Sequence, residues 1–370
     1  MGIKRWRTAR KEKTAEQQKK YFRKKMILSS VGVFLLLCGV VTGGLTYGYQ
    51  VWKSMYKPLP DAPVVNTQSS ALQTEPPLAF AQGKQPEMNL IKPAAIPPKY
   101  RDQYTNILLI LSDGFGACDL MLLTIDQAHE QLKLTSFLKE IWVKIPGLDR
   151  ESRLDAAYAA GGAKLAAQTL EQNFGVTIDR YIEVDFQQLP DLIDRLDGVE
   201  LTISQAEAEY INEYSASTPT LPGAGTYNLN GRQALCHAQN RTVEVHDFDA
   251  VNRVRDVVMA AFVRFQTTSD MMRLAKLVND STSMLSTDLE LEEFQKLLLG
   301  CFDYVDYETC QYLLPCGDGY VKTTVKGAKG TQDVLLIRDI DQVRERIYRF
   351  VYGDYHSSGV CQPDDPLYNP

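Results

Sequence analysis

The stretch from Gly231 to Phe265, GRQALCHAQNRTVEVHDFDAVNRVRDVVMAAFVRF, gathers Arg241, Arg253 and Arg255 with Asp247 and Asp249. Guanidinium groups grip phosphate in a fixed fork and keep their charge at any working pH, so the cluster points to an anion site. Acids beside them are of the kind that holds a divalent cation, which a pyrophosphate also attracts. The spacing of Asp249, Arg253 and Asp256 equally fits ion pairs along a solvated helix face, and the residues alone leave both readings open. Cys236, His237 and His246 lie in the same stretch, but loop histidines are ordinarily just solvated, and no C-x-x-C pair anywhere suggests structural zinc.

Such side chains need a frame to bring them together. Short continuous apolar runs begin with TNILLIL at 105–111 and continue as LMLLTID at 120–126, QLKLTSF at 131–137 and IWVKI at 141–145. Runs of this kind belong to strands covered on both faces. Residues 163–174 are predicted helical with Gly175 as the stop, followed by a strand at 180–185, a helix at 186–196 and a strand at 199–203. Ser204 and Glu207 form a capping-box pattern opening a helix over 204–214. A turn-rich loop or small hairpin at 215–229 leads to helices at 231–238 and 250–265, then near 270–278 and 289–299. YLLP, GYVKTTV and DVLLIRD read as strands and 340–351 as a last helix. The alternation predicts a three-layer α/β/α domain with a central mixed sheet.

The net charge of -6 conceals a division. Residues 1–25 carry eleven Lys/Arg against Glu12 and Glu16, leaving 29 basic and 44 acidic residues for the remainder. So acidic a remainder has no broad field for nucleic acid, and any phosphate must be held by a local Arg cluster. From Ile27 to Val51 there is no charged residue, a length that spans the hydrocarbon core as one helix. Arg23, Lys24 and Lys25 precede it and Tyr47, Tyr49 and Trp52 close it, which predicts an uncleaved anchor rather than a signal peptide, with the amino terminus in the cytoplasm and everything after Lys53 outside. Nine of the seventeen prolines fall between Ser54 and Tyr100, the composition of a semi-extended spacer. Of seven cysteines only Cys38 is in the membrane segment. The remaining six, Cys118, Cys236, Cys301, Cys310, Cys316 and Cys361, permit disulfides, with Cys301, Cys310 and Cys316 the closest group.

Five blocks in order resemble the LytR-CpsA-Psr proteins, membrane-anchored enzymes of Gram-positive envelopes. They are NILLILSD followed by DLMLLTID, RLDAAYAAGG, YIEVDFQQLPDLIDRLDGVELTI, LNGRQALCHAQNR and DFDAVNRVRDVVMAA, spread over residues 106–265. The resemblance implies a phosphotransferase: a muramic-acid hydroxyl of peptidoglycan attacks the pyrophosphate joining a glycopolymer to its polyprenyl carrier, and polyprenyl phosphate leaves. It also implies Mg²⁺ or Mn²⁺ as cofactor, with Asp113 and Asp119 at the positions of the family's two acids. The family's Ser-x-Pro-Arg-Asp block becomes Ser136, Phe137, Leu138, Lys139 and Glu140, so charge is kept while the guanidinium fork is lost. Of the arginine pair before the variable loop the first position is Gln239 and the second Arg241. In the closing helix Asp247 and Arg253 match, while Ala250 and Val254 stand at polar family positions.

The expected catalytic set is therefore Arg241, Asp247, Arg253, Arg153 and Lys139, with partners in a polyprenyl-pyrophosphate-linked glycopolymer, peptidoglycan and the membrane, and no nucleic acid. Expected divisions are a basic tail at 1–25, a transmembrane helix at 26–52, a Pro-rich linker at 53–103, the catalytic-type domain at 104–268, a C-terminal extension at 269–355 and a tail at 356–370. The other reading is a catalytically impaired relative that binds lipid-linked wall precursors or modulates active paralogues. Transcriptional regulation, historically linked with the family, fits neither an acidic outer domain nor so short a tail.

Overall fold

The computed structural model describes residues 46–59, 79–80, 103–113, 117–148, 151–243, 249–267, 279–280, 282–300, 303–304, 306–317, 319–327 and 330–355. The chain divides into two units, Met1–Ser54 and Met55–Pro370. In the first, residues 46–54 are helical, with the Tyr49 and Trp52 rings 5.6 Å apart. Among the described residues no helix is long and apolar enough to cross a membrane, and the expected span from Ile27 to Val51 lies almost wholly outside them.

The second unit begins with β1 (Ala79–Phe80), β2 (Tyr104–Ser112), β3 (Ala117–Asp126), β4 (Gln131–Phe137), β5 (Trp142–Lys144) and β6 (Glu151–Arg153). Then come α1 (Asp155–Phe174), β7 (Arg180–Asp185), α2 (Leu189–Arg195), β8 (Val199–Ile203), α3 (Gln205–Tyr214), β9 (Gly225–Leu229), α4 (Gly231–Gln239) and α5 (Asp249–Gln266). The remainder is β10 (Leu285–Thr287), α6 (Leu291–Gly300), β11 (Glu308–Leu314), β12 (Tyr320–Gly327), β13 (Gly330–Ile337) and α7 (Ile340–Tyr352). Six strands form one mixed sheet in the order β10-β7-β2-β3-β4-β11. β2, β3 and β4 are antiparallel neighbours, while β7 runs parallel to β2 and β11 parallel to β4. Both outer strands, β10 and β11, come from the segment after residue 268, so that segment shares the sheet of the preceding one.

Helices cover both faces, as the alternation predicts. On one, Leu165, Leu170 and Phe174 of α1 and Ile347 and Phe350 of α7 pack on Leu108, Ile110, Leu120 and Leu122. On the other, Ile193, Ile211, Ala234, Val254 and Val257 of α2 to α5 pack on Leu111, Met121, Leu123 and Leu134. Each fully buried Leu or Ile contributes about 1.5–3 kcal/mol, which is why the period-two alternation of β2 and β3 fixes which residues face which helix layer.

Local chemistry sets the element ends. Ser204 caps α3 and Glu207 returns the bond, so the capping box is present. Gly175 ends α1 with φ 76, a left-handed value glycine adopts without strain. α1 starts earlier than its apolar stripe predicts, at Asp155, because Gly161 and Gly162 break the helix in two and only the second half was legible as periodic. The predicted helix at 186–196 opens instead with a 3-10 turn at Phe186–Gln188, capped by Asp185, before α2 begins. Pro190, which has no N–H to give, sits in the first turn of α2, where none is needed. The turn-rich segment closes as a hairpin, with β9 antiparallel to β8. The helix expected near 270–278 lies outside the described residues. Within the cysteine trio, Cys316 is disulfide-bonded, whereas Cys310 is free and buried with its thiol pushed up to about 12 chiefly by burial.

At the hairpin end of β3 and β4 the sheet is closed by charge. Lys133 and Asp126, both 0% exposed, meet at 2.6 Å, and His129 Nδ1 lies 2.8 Å from the other side of the same carboxylate oxygen. Lys133 also donates to the Gly353 carbonyl, and Gln131 donates to the Tyr355 carbonyl at 2.6 Å. Burial holds the Lys133 amine below its ordinary value, with Asp126 pulling it back.

Candidate functional site

The opposite end of the same strands is built differently. Asp119 lies in β3 opposite Leu111, and by alternation it shares a face with Met121 and Leu123, the face covered by α2 to α5. The β3–β4 register pairs Leu120 with Phe137, so Lys139 follows within two residues of the point where the chain leaves β4 beside Asp119. Arg241 comes from elsewhere, just past the end of α4. Burial pushes the half-buried Asp119 carboxyl up to about 6, Lys139 and then Arg241 pull it back, and Glu140 adds to the rise. Lys139 and Arg241, from two segments distant in sequence, thus lie near enough to Asp119 to act on its carboxyl. Among the described residues neither Lys139 nor Arg241 makes an ion pair or hydrogen bond with its side chain.

Asp113 is at the same end, two residues beyond Leu111 and exposed. Ser112 beside it donates to Glu183 of β7 at 2.8 Å. Among the described residues no three His, Cys, Asp or Glu side chains gather to hold a metal ion. Two carboxylates at one strand end nevertheless suit Mg²⁺, which keeps waters and takes the rest of its shell from substrate phosphate. Asp119, half-buried and raised by burial, has the character of a carboxylate that gains by a cation.

Arg153 touches the constellation only through Glu140. Its Nη2 lies 3.3 Å from Glu140 and 2.8 Å from Asp155, and its Nη1 donates to the Asp333 carbonyl. Burial alone would lower this guanidinium, but Asp155 and Glu140 outweigh it and leave it above its ordinary value.

Arg253 has a different job from the one its spacing suggests. It is buried, donates to the carbonyls of Asn240 and Val243, and lies 3.7 Å from Glu207. It therefore clamps the chain on both sides of Arg241. Asn240 reinforces the turn, its side-chain oxygen accepting from the backbone N–H of Thr242 and Val243. Arg253 positions Arg241 rather than standing beside it. Asp247 lies outside the described residues.

Arg255, absent from the expected set, is the residue the spacing undervalued. It is 1% exposed, its Nε donates to Gln311 at 2.6 Å and its Nη2 to Asn252 at 3.0 Å, and its Nη1 has no partner among the described residues. No carboxylate forms an ion pair with it among the described residues; burial pulls it down to about 10, with Asp256 pulling it back. Gln311 is level with Leu134 in the parallel β11–β4 register, which puts Arg255 over the apolar face that also carries Asp119. Ser136, next along that face of β4 toward Asp119, has a buried hydroxyl without a partner among the described residues. A buried cation held only by amide oxygens is several kcal/mol short of a counter-charge, and a ligand anion is the natural source of one. Residues two apart on a helix point about 200° from one another, which is why Arg253 and Arg255 part company. Only the phase of α5 on the sheet, set by packing, says which of them faces inward.

The LytR_cpsA_psr family model matches residues 95–309. Biofilm regulatory protein A of Streptococcus mutans is 25% identical over 179 residues, covering 46% of this chain and 44% of that protein. The polyisoprenyl-teichoic acid--peptidoglycan teichoic acid transferase TagU of Enterococcus faecalis is 25% identical over 181 residues, covering 48% of this chain and 56% of that one. The chain spans about half the length of these curated relatives. Among solved structures, TagT bound to LIIa-WTA superposes with a TM-score of 0.55 at 19% identity, covering 74% of this chain and 98% of that one. YwtF (TagT) with bound octaprenyl pyrophosphate lipid gives 0.52 at 19% identity, with the same coverage. At such identities the likeness to the solved structures is one of fold.

Proposed function

The chain belongs to the LytR-CpsA-Psr family, whose model covers residues 95–309, and from that membership we propose that it is a membrane-anchored, extracytoplasmic phosphotransferase attaching a polyprenyl-pyrophosphate-linked glycopolymer to peptidoglycan. The observation that carries this reading is the influence on the half-buried Asp119 carboxylate of two cations, Lys139 and Arg241, that form no ion pair among the described residues. Phosphoryl transfer asks chiefly for positioned positive charge, and side chains already held apart from other partners meet that need without reorganisation. A relative is named for teichoic acid transfer to peptidoglycan, and one structure of the same fold carries octaprenyl pyrophosphate.

In this reading the acceptor hydroxyl oxygen attacks the phosphorus bearing the glycopolymer. The bond from that phosphorus to the bridging oxygen breaks, polyprenyl phosphate leaves, and the hydroxyl proton passes to solvent. Lys139 and Arg241 draw the charge of the transferring phosphate, and Arg255, held by Gln311 and Asn252, is a further cation for the anionic part of the substrate. Arg253 keeps the Arg241 turn in place. Asp113 and Asp119 would hold Mg²⁺ or Mn²⁺, which when bound supplies charge neutralisation to the phosphates.

The test is turnover of a defined substrate by the full chain in a lipid nanodisc. With Mg²⁺ or Mn²⁺ it is expected to move polymer from polyprenyl pyrophosphate onto peptidoglycan with release of polyprenyl phosphate, and chelation is expected to stop it. A second reading, a catalytically impaired relative that binds lipid-linked precursors, is favoured by the commitment of Arg253 to backbone carbonyls. Lipid binding without release of polyprenyl phosphate under the same conditions would select it.

A further inference from the structure

A cavity of about 490 Å³ opens at the N-terminal end of α4, where the segment 218–222 faces the base of the β8–β9 hairpin. The nine-residue α4, about 13 Å long at 1.5 Å per residue, runs from it to the turn that carries Arg241. Its walls are pinned before any ligand arrives. Asn212 of α3 binds both the N–H and the carbonyl of Leu221 at 2.8 Å, Gln233 of α4 donates to the Pro219 carbonyl at 3.0 Å, and Asn228 donates to the Asp197 carbonyl at 2.7 Å. Side chains from two helices and a strand thus hold the rim in one shape, and a rim already ordered loses little entropy on binding.

The lining brings two carboxylates, Asp194 and Asp197, together with hydroxyl and amide groups. Asp194, which lines the cavity, accepts the Gly231 N–H on one oxygen at 2.7 Å. The Thr218 and Thr220 hydroxyls and the Asn228 side-chain oxygen make no hydrogen bond among the described residues. No Lys, Arg or His lines the space. A lining with acceptors and no cations repels phosphate and suits a ligand that brings hydroxyl and amide donors. Pro219, Pro222 and Tyr227 add flat apolar sides against which the C–H faces of a sugar ring can lie.

We infer that this cavity is a subsite for an uncharged stretch of saccharide, belonging to the glycan that accepts the polymer. The inference deepens the transferase reading and rests on it for the identity of the acceptor. An anionic lipid-linked polymer is drawn to Arg241, whereas a neutral acceptor strand is gripped one helix length away, so the two substrates are sorted by charge. Only an acceptor several sugars long reaches both places, which makes the subsite a device that prefers strands to single sugars.

The experiment uses the full chain in nanodiscs with chitotetraose, a neutral N-acetylglucosamine oligomer, as probe, and reads binding by ligand-observed NMR and calorimetry. Chitotetraose is expected to bind, and Thr220→Trp, which fills the space from an exposed position, is expected to weaken it about ten-fold. Thr220→Lys provides a second filler should the first perturb folding. Equal binding by the wild type and both fillers would overturn the inference, as would preference of this site for polyglycerol phosphate or for calcium ion alone. The two readings part cleanly: binding that persists where transfer is never detected removes the transferase and keeps the subsite, whereas transfer whose acceptor KM ignores the fillers removes the subsite alone.

Discussion

Asp119 and Asp126 lie on one strand, about 23 Å apart at the rise of a β-strand, and their surroundings are opposites. Asp126 is fully buried and satisfied, with Lys133, His129 and two backbone N–H groups on its oxygens. Asp119 is half-buried and feels Lys139 and Arg241 without bonding to either. At the hairpin end the chain spends its charges on itself, tying residues 353–355 across the sheet. At the other end it withholds them. Charge that is near a partner yet uncommitted is charge kept for a ligand, and a function is more legible in what the fold leaves unpaired than in what it pairs.

The largest expected effect breaks the open end alone. Arg241→Ala removes a cation with no structural partner among the described residues, and a positioned arginine in phosphoryl transfer is worth roughly 10³ to 10⁵ in rate. Polyprenyl phosphate release is expected to fall by that order while the urea unfolding midpoint stays where it was. A large drop in stability would mean that Arg241 belongs with Lys133 and the contrast is false. The converse is Lys133→Ala, which strands a buried carboxylate and is expected to cost about 3–5 kcal/mol of unfolding free energy. Turnover per folded molecule should not change.

Between these lies His237, which sits under the turn that carries Arg241 and accepts the Asn240 N–H on its carbonyl at 3.2 Å. Burial lowers its imidazole from 6.5 to about 4, Glu207 pulling up and Arg253 pushing down. The folded protein therefore refuses a proton that the unfolded chain accepts below pH 6.5, so stability attached to this residue falls as pH drops from 6.5 toward 4 and levels off below. Its full size is about 3 kcal/mol. Urea midpoints at neutral pH and near pH 4.5 should diverge more for the wild type than for His237→Leu; equal slopes would show that the ring is not buried neutral.

What could be read in the chain, and what could not, follows the same division. The strands at 131–137 and 180–185, the capping box at Ser204 and Glu207 and the stop at Gly175 depend on neighbours in sequence, and each stands where expected. Asp119, Lys139 and Arg241 were legible as a set only through the ordered blocks, since no spacing rule links residues so far apart. Arg255 was legible only as one of three arginines in the stretch at 231–265, because what sets it apart comes from Gln311 on another strand and from the rotation of α5. Lys133, inside an apolar run, gave no hint of Asp126 or of the Gly353 carbonyl far down the chain. The same holds for Cys310, close in sequence to Cys316 yet turned toward the Tyr355 carbonyl as a free thiol.

Arg153 supplies the smallest and most discriminating effect, because it lies at the open end but is bonded like the closed one. Glu140 and Asp155 already neutralise it, and its side chain is 19% exposed, so water weakens what the pairs contribute. Arg153→Lys keeps the charge and loses the fork, and is expected to cost under about 1 kcal/mol of stability, read from urea unfolding. Turnover should change by no more than a few-fold, since the guanidinium has no free edge to offer a phosphate. If Arg153→Lys instead cripples transfer as deeply as Arg241→Ala, pairing is no guide to function at this end of the sheet. The site would then have to be redrawn with Glu140 and Asp155 as partners that release Arg153 when substrate arrives.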